Sequence, residues 1–233
     1  MGKEKYIYKI FDDKKVLSER ADEIDIRSDY LKVEGIIKEL KDTLYDYSKL
    51  TVLAAPQLKH PYRIFCMKFA GGDIRAFINP MIGKTKGMHL SREICSSIPG
   101  KEFIVPRNDE IEVAYQTPTG KSESNLFKGA PAEMFQQMVN LLDGILIDDF
   151  GLEILPGFDE LKDDDKESII NMYILSLKLK DDEIKKEIES TPKLKEINDA
   201  ISFYTSVALG ETKLEEFTIK KEPEEGEAVE SGD

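Results

Sequence analysis

Along the chain, apolar positions fall into two kinds of repeat. From Ser28 to about Tyr47, Leu31, Ile36, Ile37, Leu40 and Leu44 recur at helical spacing, and Ser28 is placed to cap the start. Shorter runs alternate or cluster as strands do: YIYKIF at 6–11, the stretch 49–55 stopped by Pro56, 62–69 followed by Gly71-Gly72, and 75–78 ended by Asn79-Pro80. At 111–116, Ile, Val and Tyr alternate with Glu, Ala and Gln, which predicts a strand with one wet face, and Pro118 to Gly120 predicts the hairpin turn after it. Asp12 to Lys15 reads as a turn. A helix is predicted from Ala132 to about Ile147.

After Gly151 the pattern changes. A helix is predicted over 166–189, capped by Asp164 or Asp165, with Ile170, Tyr173, Ile174 and Leu177 on one face. Thr191-Pro192 opens a second helix, with Leu194, Ile197, Ile201 and Tyr204 on one face, and Gly210 stops it near Leu209. The acidic end, KKEPEEGEAVESGD, is too poor in apolar residues to build a core and is expected to be disordered. The order is an α+β body over 1–151, a helical extension over 152–210 and a tail over 211–233.

Composition narrows the function. The net charge of -13 argues against a nucleic-acid backbone or an anionic membrane as partner. The two cysteines, Cys66 and Cys95, are no disulfide framework. The start lacks a secretory leader, and no run approaches the roughly 18 apolar residues of a membrane span. A cytoplasmic location, in a host cell or in a virion, is expected. Asp163-Asp164-Asp165 lacks the glycine and glutamate of a calcium loop and reads as a cap. Asp148-Asp149 reads as a structural acidic turn.

Three segments carry chemistry when taken together. They are Leu50-Thr51-Val52-Leu53-Ala54-Ala55-Pro56-Gln57, Glu93-Ile94-Cys95-Ser96-Ser97 and Gln137-Met138-Val139-Asn140-Leu141. With Phe77-Ile78-Asn79-Pro80 and Ile104-Val105-Pro106-Arg107 between them, they resemble, in order and spacing, the GxGLAAPQ, EGCLS and HExDH motifs of the peptide deformylase family. The resemblance covers roughly residues 6 to 151. It implies an α+β fold with short antiparallel or mixed sheets around a central helix, here with an added C-terminal helical hairpin.

The resemblance also implies a divalent iron or zinc ion held by one cysteine and two histidines a helical turn apart, with a water in the fourth position. A glutamate would shuttle the proton, and a glutamine and a backbone N–H would stabilise the oxyanion. Carried over by position, Gln57 is the oxyanion glutamine, Cys95 the cysteine ligand and Glu93 the structural carboxylate. Gln137 and Leu141 stand where the two histidines belong, and Met138 where the catalytic glutamate belongs. Leu50 and Val52 replace motif glycines, and their bulk would crowd the peptide cleft. Glu102 stands where an arginine often grips the substrate.

Leucine has no donor atom, and a glutamine carbonyl is a poor zinc or iron ligand beside a thiolate. Neither a metal nor any other cofactor is therefore expected. The only histidines, His60 and His89, read as loop residues; a Cys95–His89 thiol–imidazole pair is the alternative. Cys66 reads as core. On this pattern the chain is expected to be a non-catalytic deformylase-fold protein, a structural or assembly component such as part of a phage tail or baseplate, with other proteins as partners. The alternative is a divergent peptide deformylase, or a Cys-dependent hydrolase, with a rebuilt active site. A non-catalytic module binding a peptide N-terminus is a third possibility, disfavoured by Glu102.

Overall fold

The computed structural model describes residues 10–179. The chain divides into two compact units after Asp159.

The first unit opens with α1 (Ile10–Leu17) and α2 (Tyr30–Asp46). A five-stranded antiparallel sheet follows, ordered β1 (Val52–Ala54), β2 (Ile64–Lys68), β3 (Ile74–Lys86), β6 (Glu110–Gln116) and β7 (Ser122–Lys128). A second antiparallel sheet holds β4 (His89–Cys95), β5 (Ile98–Arg107) and the short β8 (Leu152–Glu153). Between them in sequence come α3 (Ala130–Leu142) and the single turn α4 (Ile147–Phe150). Of the second unit, α5 (Asp163–Leu179) is described.

Strand β2 shows how the large sheet is buried. Its sequence IFCMK does not alternate in polarity, because both faces are covered. Ile64 and Cys66 point into a core with Ile36, Leu40 and Leu44 of α2. Phe65 and Met67 point the other way, into a core with Phe135, Met138 and Leu142 of α3. There Phe65 stacks on Phe77 at 4.8 Å, and Phe135 meets both rings edge-on at 5.1 and 5.4 Å. Strand β6 behaves as its alternation predicts, with Ile111, Val113 and Tyr115 on the α3 side. A third, smaller core gathers Leu17, Cys95, Ile98, Phe103, Val105, Leu146 and Ile147.

Several expectations are corrected. Ile10 and Phe11 lie in α1 rather than in a strand, and the polar Asp12 to Lys15 stretch lies within α1, which kinks there: Asp13 leaves helical geometry at φ -124°, ψ 23°. Lys14 of α1 is held by Asp148 and Asp149 at the foot of α4, at 3.0 and 2.9 Å, so a tertiary contact overrides local turn preference. Ser28 does not cap α2: Asp29 occupies that position, and the Ser28 hydroxyl turns back to Asp25. Leu31, assigned to the apolar face, is 80% exposed, and Val33 takes its place in the core. Asn79-Pro80 does not end a strand. Asn79 takes a positive φ of 47° inside a bulge, its side chain bridging the Ile24 backbone and Gln116, and β3 runs on to Lys86.

The central helix stops at Leu142 instead of about Ile147. Gly144 follows with φ of +74°, and a Cβ there would collide with the Ser18 carbonyl, so only glycine fits this turn. Helix α5 covers the start of the helix predicted at 166–189 but begins at Asp163, so Asp164 and Asp165 lie in its first turn instead of capping it. The remainder of that helix, the helix predicted from Thr191, the tail and residues 6–9 lie outside the described residues.

Candidate active site

Two edge strands face a common cleft. Among the described residues β1 pairs only with β2 and β4 only with β5, so each leaves one backbone edge without a strand partner. The cleft has a volume of about 600 Å³. Val52 of β1 lines one wall; Ile94 and Cys95 of β4 line the other; Met134, Gln137 and Met138 of α3 lie along it. Leu50 and Val52 line this space without closing it. Neither is among the described non-glycine residues with positive φ, which are Lys59 and Asn79, so these two positions do not need glycine.

Behind the cleft lies a buried ion pair. Arg107, at the end of β5, grips both oxygens of Glu93 at 2.7 and 2.9 Å, with the two side chains 4% and 8% exposed. In the antiparallel register Arg107 stands opposite His89 and Glu93 opposite Phe103, so the long Arg107 side chain reaches along the sheet to Glu93. Arg107 also donates to Asn140 Oδ1 at 2.6 Å, and Gln137 Nε2 donates to Glu93 Oε2 at 3.1 Å and to the Ile94 carbonyl at 2.9 Å. Gln137 and Asn140 lie three residues apart on α3, so both reach the same side of it.

Cys95, Gln137 and Leu141, the positions matching the three protein ligands, do converge: together with Arg107 and Asn140 they line one small pocket. The donors there do not suit a divalent transition metal. Cys95 supplies sulfur, Gln137 spends its N–H bonds on Glu93 and Ile94, and Leu141 is 4% exposed with no donor atom. Among the described residues no group of three or more His, Cys, Asp or Glu side chains converges to hold a metal ion. Met138, 2% exposed, packs into the aromatic core and meets the cleft as part of its apolar wall, with no group to accept a proton.

The turn after β4 carries the remaining polar chemistry. Gln57 sits in a 3-10 turn, Ala55–Leu58, fully buried, with its Oε1 accepting the Ala54 N–H at 3.0 Å. Its Nε2 donates to the hydroxyls of Ser96 at 2.8 Å and Ser97 at 2.9 Å. Gln57 is therefore linked to the cleft through Ser96, which lines it. The Cys95 sulfur accepts from the Ser97 and Ile98 N–H groups and the Ser97 hydroxyl. Burial pushes the Cys95 thiol pKa up, and these three donors only partly counter it. Cys66, within β2, is pushed up to about 12 by burial, against a lowering by the Lys41 charge.

The histidines do not join Cys95. His60 bonds Glu39 of α2 at 2.9 Å. His89 opens β4, six residues before Cys95, which along a strand is about 20 Å. Its Nδ1 meets Asp109 at 2.6 Å and its Nε2 meets Glu133 at 3.2 Å; Glu133 also accepts the Ser91 hydroxyl at 2.8 Å. The hydrogen bond to Asp109, with help from Glu133, raises the His89 pKa above its ordinary value. The thiol–imidazole pair is thus excluded by distance.

Glu102 does not present a bare negative charge to the cleft. Arg92 binds it at 2.6 Å and Asp159 at 2.9 and 3.0 Å. The sequence treats Arg107 only as part of a supporting match and passes over Ser96; only the folded register reveals their roles.

A family model described as polypeptide deformylase matches residues 7–150. A peptide deformylase from Dictyoglomus turgidum is 32% identical over 139 residues, covering 60% of this chain and 86% of the relative. One from Dictyoglomus thermophilum is 34% identical over 125 residues, covering 52% and 81%. The crystal structure of peptide deformylase from Thermotoga maritima matches with a TM-score of 0.57 at 29% identity, covering 64% of this chain and 97% of that one. These relatives are enzymes. They overturn the expectation of a non-catalytic structural or virion protein, which rested on the replaced positions alone.

Proposed function

The chain belongs to the polypeptide deformylase family, and from that premise we propose that it is a divergent peptide deformylase with a rebuilt hydrolytic centre. Its substrate is an acylated peptide N-terminus laid as an extended strand between β1 and β4. The observation that carries this reading is the cleft itself: two strand edges without a strand partner among the described residues flank it, and its floor holds Cys95 beside the Ser96 hydroxyl that Gln57 grips. Main-chain hydrogen bonds from both edges would align a peptide, and the apolar wall of Met134, Met138 and Ile98 suits an apolar first side chain.

The donors at the centre do not suit a metal-held water, so the reacting group assigned here is the Cys95 thiol. Its sulfur attacks the formyl carbon, and the carbon–nitrogen bond breaks. The thiol proton leaves with the amine, and water then cleaves the formyl thioester to formate and free thiol. The Gln57 amide is the group nearest to hand for the carbonyl oxygen, once the Ser96 hydroxyl rotates off it. Because burial holds the thiol protonated, the rate should climb with pH through the ordinary thiol value of 9.0 and beyond.

The test is formate release from formyl-Met-Ala-Ser by the chelator-treated protein and by Cys95→Ala and Gln57→Leu. Turnover in chelator that disappears in Cys95→Ala and drops about 10²-fold or more in Gln57→Leu is expected. Turnover unaffected by Cys95→Ala would refute the assignment.

A further inference from the structure

The residues that do not suit a metal also show what stands in its place. We propose that Gln137 is a positioning residue: its amide cross-links the α3 wall of the cleft to the β4 wall, and so fixes the peptide-binding geometry without a cation. This rests on the reading above that the centre works without a family-type metal.

Gln137 spans the gap between helix and strand directly, bonding a side chain and a backbone carbonyl of β4 at once. Its partner Glu93 is fixed from behind by Arg107, and Arg107 returns to α3 through Asn140. The bonds close a ring: α3 to β4 through Gln137, β4 to β5 through the ion pair, and β5 back to α3 through Asn140. Its charges balance internally. Glu93 and Arg107 cancel, and Gln137 and Asn140 are neutral amides. Met138 and Leu141 add no charge. Such a ring needs no divalent cation to offset buried carboxylates, and a paired, hydrogen-bonded charge is the form in which burial is tolerated.

The consequence for function follows from where the ring pulls. The Ile94 carbonyl belongs to the strand edge that faces the peptide, and Gln137 holds it from inside the cleft. A peptide strand must meet β1 and β4 together, and its hydrogen bonds weaken steeply once the edges move apart. The cross-link therefore acts on peptide affinity, ahead of any chemistry.

The experiment compares the full chain with Gln137→Leu, which keeps the bulk and removes the donors, and Gln137→Asn, which is too short to span. Melting is followed with and without EDTA, and binding of Met-Ala-Ser by calorimetry. The native melting temperature should not change in EDTA. Both variants should melt several degrees lower and bind the peptide about tenfold more weakly, a change equivalent to about 1.4 kcal/mol. A double variant, Gln137→His with Leu141→His, should take up one zinc ion with Cys95, because these positions already line one pocket.

Native-like melting and peptide affinity in Gln137→Leu and Gln137→Asn would reject the cross-link while leaving the thiol reading intact. A folded double variant that takes up no zinc would reject the placement of the amide at a ligand position. Stoichiometric iron or zinc in the native protein, with stability lost in EDTA, would instead overturn the reading beneath both.

Discussion

Replacing Arg107 by leucine should be among the most damaging single changes in the chain. Arg107 contributes three hydrogen bonds, two to Glu93 and one to Asn140, from a side chain 4% exposed. Leucine keeps part of the volume but strands the Glu93 carboxylate, 8% exposed, with Gln137 as its remaining side-chain donor. Breaking a buried pair by deleting one partner costs about 3–5 kcal/mol, because the surviving charge stays desolvated. Against a total stability of about 5–15 kcal/mol, that is a large share. At about 2–4 °C per kcal/mol for a unit of this size, melting should fall by about 6–20 °C. Urea and thermal melts of the native protein, Arg107→Leu, Glu93→Gln and the double variant form a cycle. Glu93→Gln should cost less than Arg107→Leu, since the arginine can still reach Asn140, and the double variant should recover part of the loss. Additive single losses, or an Arg107→Leu penalty below about 1 kcal/mol, would refute the claim that this pair anchors the centre.

Phe135→Ala should cost about 3–5 kcal/mol in urea melts, because it removes the ring that packs edge-on against both Phe65 and Phe77. Gly144→Ala should lower melting temperature markedly and Gly72→Ala much less, since only the first would strike the Ser18 backbone. His89 has a raised pKa in the fold, so its protonated form is the favoured one; the stability it adds is fully present below the unfolded value of 6.5 and is lost as pH rises through the folded value. The melting difference between native and His89→Gln should therefore be largest near pH 6 and shrink at alkaline pH. Cys66, pushed up to about 12 in a covered strand, should resist alkylation in the native state and react only on unfolding.

Much of this architecture was legible in the residues. The helical face of Ile36, Ile37, Leu40 and Leu44 and the alternation at 111–116 name their own elements, because each buries one face. Elements held by distant contacts were not legible. Helix α1 reads as a strand end followed by a turn, and only the contacts of Lys14 with Asp148 and Asp149 show that a kinked helix is held there. Strand β7, with its largely exposed SESNLFK, carries little apolar signal and is defined by its ladder with β6. At the site, the motif positions were visible, and Cys95, Gln137 and Leu141 converge as their order implies. Their hydrogen bonding was not visible. Glu102 looks like a reversed charge until Arg92 is seen beside it, and Gln137 looks like a simple loss until its bonds to Glu93 and Ile94 are traced. Replaced ligands alone also led to the wrong class of function, since missing residues say nothing about what the remaining cleft binds.

The most direct test of the account is intact-protein mass spectrometry of chelator-treated protein quenched during turnover of formyl-Met-Ala-Ser, followed by peptide mapping. The account predicts a formyl thioester on the peptide carrying Cys95, absent in Cys95→Ala. Turnover without any adduct, restored by added zinc and retained in Cys95→Ala, would contradict it.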